Sequence, residues 1–506
     1  MKMINTIYRV ALFSVSVLPV LSCNKFLDEM PDSRTELDTP EKISQILVSA
    51  YTDLLPVTLQ ELRSDNVVDY GNNIDVYQAI FDQVYRCTDV TGESFDSPTE
   101  LWNRAYNSIA SANHALQAIE DMGNPESLNP QKGEALLCRA YGHFIIVNTF
   151  CQAYNAESSE TDLGIPYVTE PETTVYVDYT RGSVANVYAR IAEDIEAGYP
   201  LIDDTAYDQV KWHFNSAAAA AFAAQFYLYY GDYEKSIDYA TAAIGDDPTG
   251  VFRNWSLYTG TSSDEYANTF ASAEEAANFM LQSSNSLYAR YMFGRYIVTQ
   301  QHLENNIFSM TPWGHISNTD YGVTYYTMSR SYFSPKFNEY FIYSDIVVGI
   351  GQPYIVYVVF SAEKTMIDRA EANVLAGNYE AAVRDLNYFY ASLGLTGSCT
   401  LEQISDFYAD PESEDDDLYN ILTLAPKGMT LTEGTEVNMI RACLHARRIM
   451  TVHEGTRLQD LKRYGVAYTH EIDGEAPVNL QPYDPRLAVQ LPNAVVSAGL
   501  EPNPTE

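Results

Sequence analysis

The stretch FYLYYGDYEKSIDYATAAI, at Phe226–Ile244, decides the fold. Helix-forming residues lead into a Gly-Asp-Tyr-Glu turn that starts at Gly231, and apolar residues recur at helical spacing after the turn. Glycine accepts the left-handed backbone conformation that ends a helix. The stretch therefore predicts two antiparallel helices joined at Gly231.

A second stretch, EANVLAGNYEAAVRDLNYF at Glu371–Phe389, has the same arrangement around Gly377, and both stretches resemble tetratricopeptide repeats. Weaker matches cover Leu101–Glu120 and Lys132–Phe150. A helical pair of this kind cannot cover its own apolar face, so the pairs must stack. We therefore predict an all-α fold in which tetratricopeptide-like helical pairs form a scaffold that carries long irregular insertions.

The longest insertion lies at about residues 251–357, where helical periodicity is lost and glycine, serine, asparagine and aromatic residues become frequent. A second irregular region extends from Arg63 to Thr99. Binding residues tend to collect on irregular segments that a rigid scaffold carries. We predict a single domain, residues 41–506, with its binding residues on these insertions.

The first residues of the chain have the layout of an export signal, with two basic residues and an apolar core from Val10 to Leu21. This core is shorter than the roughly 20 apolar residues that a membrane-spanning helix needs. It ends in Leu-Ser-Cys at Cys23, which resembles a bacterial lipobox, in which the thiol is acylated and the cysteine becomes the new N-terminus. We predict a signal peptide at residues 1–22, lipidation of Cys23 and a tether at residues 23–40.

The composition is strongly acidic, with 68 acidic against 30 basic residues and a formal net charge of −38. Such a surface repels phosphate backbones, which argues against nucleic-acid binding. The cysteines after Cys23 are odd in number and have no metal-ligand spacing, so they imply no disulfide framework and leave the disulfide state open. They are Cys87, Cys138, Cys151, Cys399 and Cys443.

Several short segments, in the order in which they occur, resemble the SusD/RagB family of outer-membrane nutrient-binding lipoproteins. They are CNKFLDEMPD from Cys23, GEALLCRAYGHF from Gly133, GIPYV from Gly164, TRGSVANVYARIAEDI from Thr180 and DPRLAVQLP from Asp484. The resemblance implies a glycan-binding lipoprotein without enzymatic activity. It also implies lipid anchoring in the outer membrane facing the cell exterior, and a SusC-like, TonB-dependent transporter as partner.

Motifs for catalysis are missing from the sequence, which has no GxSxG elbow, no Walker loop and no HExxH. Glu454, Arg457, Asp460 and Arg463 are spaced by three, as in a ladder of opposite charges along a helix. We interpret this ladder as structural, pairing neighbouring helices. The sequence predicts no enzymatic activity, no metal and no cofactor.

Carbohydrate sites combine aromatic faces, which contact sugar C–H groups, with planar hydrogen-bonding side chains. The stretch SMTPWGHISNTDYG and the stretch RSDNVVDYGNN both have this mixture, and the family resemblance suggests that loops from the two regions meet at the ligand face. The predicted glycan-binding residues are Trp313, Asn318, Asp320, Tyr321, Tyr296, Arg63, Asp65, Asn66, Tyr70 and Asn72.

The tryptophans receive different interpretations. Trp102 lies on a helical apolar stripe, which favours a place in the core. Trp313 lies among polar residues in a predicted loop, which leaves core and ligand face equally open.

Three other functions remain open at this point. One is peptide capture by the same lipoprotein scaffold, and another is a tetratricopeptide adaptor that binds only another protein. The third is a surface hydrolase, for which two carboxyl groups would have to face each other across a cleft.

Overall fold

The computed structural model describes residues 37–71, 79–172, 177–316, 319, 321–322, 325–326, 331–409 and 422–505. The α-helices are α1 (Pro40–Leu47), α2 (Val57–Glu61), α3 (Ala79–Tyr85), α4 (Pro98–Asp121), α5 (Asn129–Phe150), α6 (Val184–Gly198), α7 (Ser216–Tyr230), α8 (Tyr233–Ile244), α9 (Ser263–Phe270), α10 (Tyr288–Tyr291), α11 (Gln300–His302), α12 (Ala362–Leu375), α13 (Tyr379–Ser392), α14 (Leu401–Phe407), α15 (Thr435–Met450), α16 (Thr456–Arg463) and α17 (Asn493–Ser497). The strands are β1 (Val68–Asp69), β2 (Asn278–Ser284), β3 (Tyr296–Ile297), β4 (Met310–Thr311), β5 (Gly314–His315), β6 (Tyr325–Tyr326), β7 (Tyr332–Phe333), β8 (Glu339–Asp345), β9 (Ile350–Ser361), β10 (Tyr468–His470) and β11 (Val478–Leu480).

The two predicted glycine turns are present. Gly231 has φ 85° and ends α7, and Gly377 has φ 79° between α12 and α13. Helix α12 packs against α8 of the other repeat and against α15, so the pairs stack as their apolar faces require. The predicted helical fold class is confirmed.

The two weaker repeat matches form the pair α4 and α5, and α6 packs on the other side of α5. Small residues allow the close approach of α4 and α5, because a Cβ atom at Gly142 would lie 2.8 Å from Ile109 Cγ1. Trp102 is buried on α4, as its helical spacing predicts.

The insertion contains a three-stranded antiparallel sheet, in the order β2, β9, β8, which the sequence analysis did not predict. Strand β9 leads directly into α12, where the Ser361 side chain accepts a hydrogen bond from the Lys364 N–H and caps the helix. The Phe360 ring packs with Tyr141 and Phe222 of the helical scaffold. The sheet is therefore fixed to the repeats on one side.

In the part of the chain that the structure describes, no helix combines the length and the apolar character needed to cross a bilayer.

Candidate functional site

The segment RSDNVVDYGNN meets the long insertion through a short antiparallel ladder. Strand β1 pairs with β3, with Val68 opposite Ile297 and Asp69 opposite Tyr296. The Arg295 guanidinium donates a hydrogen bond of 2.6 Å to Asp69 Oδ1, which fixes the two strands to each other. This junction places the segment RSDNVVDYGNN beside residues 295–297 of the insertion, and the ladder does not include the stretch SMTPWGHISNTDYG.

Asp65 and Asn66, which were predicted to face a glycan, are instead engaged by interior cations. Asp65 accepts two hydrogen bonds from Arg457, of 2.7 and 2.8 Å, and Asn66 Oδ1 accepts one of 2.9 Å from Arg448. Burial opposes ionisation of Asp65, but Arg448 and Arg457 outweigh it and lower the pKa of this carboxyl group. The prediction that Asp65 and Asn66 face a glycan is wrong, because their side-chain oxygens accept hydrogen bonds from Arg457 and Arg448.

Arg63 and Tyr296 are also buried. The Arg63 guanidinium donates to the backbone oxygens of Arg486 (2.7 Å) and Thr88 (3.2 Å), so it ties chain segments together. The Tyr296 ring stacks on Tyr85 with a centroid distance of 4.3 Å. Both residues have structural roles in place of the predicted contacts with ligand.

Tyr321 is fully buried, and its hydroxyl donates a hydrogen bond of 2.7 Å to the Ile449 backbone oxygen. Its ring lies edge-on to Trp255 at a centroid distance of 4.8 Å. The prediction that Tyr321 faces ligand is wrong, because its side chain is buried in the core, like that of Tyr296.

Trp313 is 7% exposed and belongs to the core. Its ring stacks on Tyr390 with a centroid distance of 4.0 Å, and its indole N–H donates a hydrogen bond of 2.7 Å to Asn387 Oδ1. A ring covered in this way has no open face for a sugar, so the interpretation of Trp313 as a glycan platform is also corrected.

Replacing Trp313 by phenylalanine is expected to lower the free energy of unfolding by about 1 kcal/mol and to leave polysaccharide retention unchanged. The phenyl ring keeps the contact with Tyr390, whereas the hydrogen bond to Asn387 is lost. Urea unfolding and affinity electrophoresis on the same preparation measure the two quantities. Trp212→Phe, at a 36% exposed position, is the control. Weaker retention with unchanged stability would contradict the core role.

Four of the predicted functional residues lie outside the described residues. They are Cys23, Asn72, Asn318 and Asp320.

Tyr70 is the predicted aromatic residue that stays half-buried in the structure, next to Gly71 at the end of the β1–β3 junction. Its backbone N–H donates a hydrogen bond of 2.9 Å to the Arg295 oxygen. Several side chains in this area are linked by hydrogen bonds. We name this group, together with Tyr70, the Tyr70 face. It consists of Asp69, Tyr70, Asp82, Arg86, Arg295 and Glu475.

In the Tyr70 face, the side chains of Asp82, Arg86 and Glu475 are partly open to solvent, whereas those of Asp69 and Arg295 are buried. Arg86 donates to both Glu475 oxygens, at 2.8 and 3.0 Å, and its Nε donates to Asp82 at 2.9 Å. The Arg86 hydrogen bond lowers the pKa of Glu475, so both groups are charged at neutral pH. Guanidinium and carboxylate groups can donate hydrogen bonds to sugar hydroxyls and accept hydrogen bonds from them.

Sequence reasoning missed Arg86, Arg295 and Glu475 as members of this face. They come from three distant parts of the chain, and none of them lies in a motif. No local signal could have identified them.

Comparison with known proteins adds evidence of another kind. A family model, SusD-like, described as starch-binding and associating with the outer membrane, matches residues 25–228. Over these residues, which are less than half of the chain, the sequence is similar to the SusD-like family. No curated protein matches it.

Solved structures of SusD proteins share the fold. A SusD superfamily protein from Bacteroides thetaiotaomicron VPI-5482 is 17% identical, with a TM-score of 0.63 over 92% of this chain and 100% of its own. One from Bacteroides fragilis is 16% identical, with a TM-score of 0.63 over 92% and 99%. A SusD-like carbohydrate-binding protein from Bacteroides vulgatus ATCC 8482 is 16% identical, with a TM-score of 0.60 over 91% and 96%. At this identity the likeness establishes the fold.

The charge ladder pairs neighbouring elements, as predicted, although Glu454 precedes the helix that carries its other three members. Glu454 contacts the ammonium groups of Lys336 at 2.9 Å and Lys364 at 2.5 Å. The remaining contacts to other elements are Arg457 to Asp65 at 2.7 Å, Asp460 to Arg447 at 3.1 Å and Arg463 to Glu371 at 2.8 Å. The ladder is a structural network in the interior.

The cysteines that the structure describes are free thiols, and all of them are buried: Cys87, Cys138, Cys151, Cys399 and Cys443. Burial raises the pKa of Cys138 and Cys443. Within the described ranges, no group of three or more His, Cys, Asp or Glu side chains is arranged to hold a metal ion.

Proposed function

We propose that this protein is a cell-surface lipoprotein that captures oligo- or polysaccharide and delivers it, without catalysis, to a SusC-like, TonB-dependent transporter. The observation that carries the proposal is the family match, whose description combines starch binding with the outer membrane. The helical scaffold then serves to hold the irregular segments that contact ligand. The acylated Cys23 would hold the protein at the outer membrane, facing the cell exterior.

The Tyr70 face is the part of the described structure that best suits a glycan. One sugar ring would lie against the Tyr70 ring, and its hydroxyl groups would bond to Arg86, Glu475 and neighbouring polar groups. The pairing of β1 with β3 fixes the backbone beneath Tyr70, so little ordering is required when ligand binds.

Tyr70→Ala is expected to weaken retention on soluble starch by about 1–3 kcal/mol, because the aromatic face for the sugar is lost. Affinity electrophoresis in gels with and without starch measures the effect. Tyr70→Phe keeps the ring and should retain most of the binding. Tyr343→Ala removes a tyrosine that is 54% exposed elsewhere and is the matched control.

Two results would count against the proposal. If Tyr70→Ala binds like the unaltered protein, the Tyr70 face is not the binding site. If the unaltered protein is retained by no glycan on a broad array, the carbohydrate part is wrong, and oligopeptides recovered with the natural protein would then favour peptide capture.

A further inference from the structure

Two buried cations, Arg63 and His470, lie beside Cys87. Arg63 is 2% exposed, His470 is 1% exposed and Cys87 is 3% exposed. The Arg63 guanidinium donates hydrogen bonds to the backbone oxygens of Arg486 and Thr88. Within the described ranges, neither Arg63 nor His470 forms an ion pair with a carboxylate, so their partners are neutral.

The geometry of His470 requires a charged imidazole ring. Its Nδ1 lies 2.6 Å from the Tyr85 backbone oxygen, and its Nε2 lies 2.9 Å from the Ser64 backbone oxygen. A carbonyl oxygen only accepts hydrogen bonds, and a neutral imidazole ring has one N–H to donate. Both hydrogen bonds therefore form only when His470 is protonated. The rings of Tyr85 and Tyr468 pack against it, and burial raises the pKa of both phenols, so neither supplies an anion.

The nearby carboxylates are already paired with other cations. Asp65 lies 2.7 Å from Arg457 and 3.5 Å from Arg448, so one carboxylate serves two guanidinium groups. Asp484 is paired with Arg486 at 2.6 Å. Because unpaired cations are costly in the interior, this region requires an additional anion.

The Cys87 sulfur is placed to supply that anion. Its Sγ lies 3.8 Å from the Tyr85 oxygen, to which His470 Nδ1 also donates, so the thiol and the imidazole ring meet at one acceptor. A contact of this length is weak, so the thiol gives up little when it loses its proton. The buried Nε of Arg63 has no hydrogen-bond partner among the described residues.

The electrostatics and the backbone of Cys87 support this reading. Burial opposes ionisation of Cys87, but His470, Arg63 and Arg486 outweigh it and lower the pKa of the thiol. The backbone of Cys87 has φ 52°, in the left-handed region that a side chain disfavours. Strained positions of this kind cluster at functional sites.

We infer that Cys87 is held as a thiolate by His470 and Arg63 and is the first cysteine of this protein that peroxides oxidise. The sulfur attacks one peroxide oxygen, so an S–O bond forms and the O–O bond breaks. The sulfur is oxidised to sulfenic acid, the peroxide is reduced, and the departing hydroxide takes a proton from solvent to give water. Hydrogen peroxide is little larger than water, and Thr88 beside the thiol is exposed, so the oxidant has a short path to the sulfur.

The test treats the natural protein, folded and freed of reductant, with brief pulses of hydrogen peroxide at pH 6 and at pH 8. Dimedone traps sulfenic acid, and mass spectrometry of the peptides gives the rate at each cysteine. Cys399 is the internal control, because it is 9% exposed and burial raises the pKa of its thiol.

At pH 6 an ordinary thiol is only about 0.3% ionised. We therefore expect Cys87 to be oxidised at least about 10-fold faster than Cys399 at pH 6, even though it is less exposed. Between pH 6 and pH 8 the rate at Cys87 should change less than about 3-fold, whereas the rate at an ordinary thiol rises about 100-fold. Faster oxidation of Cys399 at pH 6, oxidation of no cysteine, or a rate at Cys87 that rises like that of an ordinary thiol would each overturn the inference.

His470→Gln tests the role of the imidazole ring, since it keeps a hydrogen-bond donor without the charge. It should slow the oxidation of Cys87 at pH 6 about 10-fold or more. His213→Gln removes a histidine elsewhere, next to Glu134, and should leave the rate unchanged. If His470→Gln does not fold, the ultraviolet absorbance of the thiolate at pH 6 is compared between the intact protein and Cys87→Ser. Equal absorbance of these two proteins, or an unchanged rate in a folded His470→Gln, would contradict the thiolate.

Discussion

Replacing Arg447 by alanine is expected to lower the free energy of unfolding by about 3–5 kcal/mol, because three buried carboxylates lose their common cation. Arg447 is 3% exposed. Its guanidinium lies 2.9 Å from Asp368, 2.5 Å from Glu371 and 3.1 Å from Asp460. The Arg463 guanidinium remains close to two of these groups, but it cannot balance all three.

The loss should depend on pH. In the intact protein, burial raises the pKa of Asp368 to about 6, whereas Arg447 and Arg463 outweigh burial at Glu371 and lower its pKa to about 2. Without Arg447 the pKa of each carboxyl group in the folded state rises, so the variant binds protons more readily than the intact protein. The deficit of Arg447→Ala should therefore be larger at pH 7 than at pH 5, because it shrinks as the pH falls through the raised pKa of Asp368 in the variant.

Urea unfolding at pH 7 and at pH 5 measures both effects. Arg190→Ala is the control, since Arg190 is partly exposed and lies 3.6 Å from the exposed Glu193. Its removal should change stability by about 0.5 kcal/mol or less. Similar losses for Arg447→Ala and Arg190→Ala would contradict the structural role of the network.

The helical scaffold could be predicted because its signals are local. Gly231 and Gly377 lie between helix-forming stretches, and the turns form where these glycines stand. Trp102 shares a helical stripe with other apolar residues, and this spacing alone predicts its burial. The spacing of apolar residues predicts which face of a helix is buried, even when the element that packs against this face is not known.

The sheet could not be predicted in the same way. Strand β9 has an exposed end at Ile350 and a buried end at Ser361, so its two ends have different environments. One pattern of apolar and polar residues cannot describe both. The pairing of β2 with β9 also joins residues about 80 positions apart, such as Asn278 and Ser361, and local spacing does not report contacts of this range.

The binding residues were the least predictable part. Asp65 and Asn66 are residue types that are common in sugar sites. In the structure they instead accept hydrogen bonds from Arg457 and Arg448, which lie nearly 400 residues further along the chain. The same polar residues suit a ligand and an interior ion pair, so composition cannot separate the two roles. Trp313 was ambiguous for a similar reason, because its neighbours in sequence are polar while its neighbour in space is Tyr390.

Cys23→Ala is expected to abolish display of the protein at the cell surface. The family resemblance implies that the thiol carries the acyl groups, and each buried acyl CH₂ contributes about 0.8 kcal/mol to membrane binding. Antibody labelling of intact cells measures display, and mass spectrometry of the natural protein should find an acylated Cys23 at its N-terminus.

Cys399→Ala separates loss of the anchor from loss of a thiol in general. Cys399 is a free thiol that is 9% exposed, and its replacement removes one sulfur atom far from the predicted lipobox. This variant should be displayed like the unaltered protein. Undiminished display of Cys23→Ala, or natural protein with an unmodified cysteine, would show that the chain is held at the membrane by other means. The capture of glycan at the surface would then need another explanation for its location.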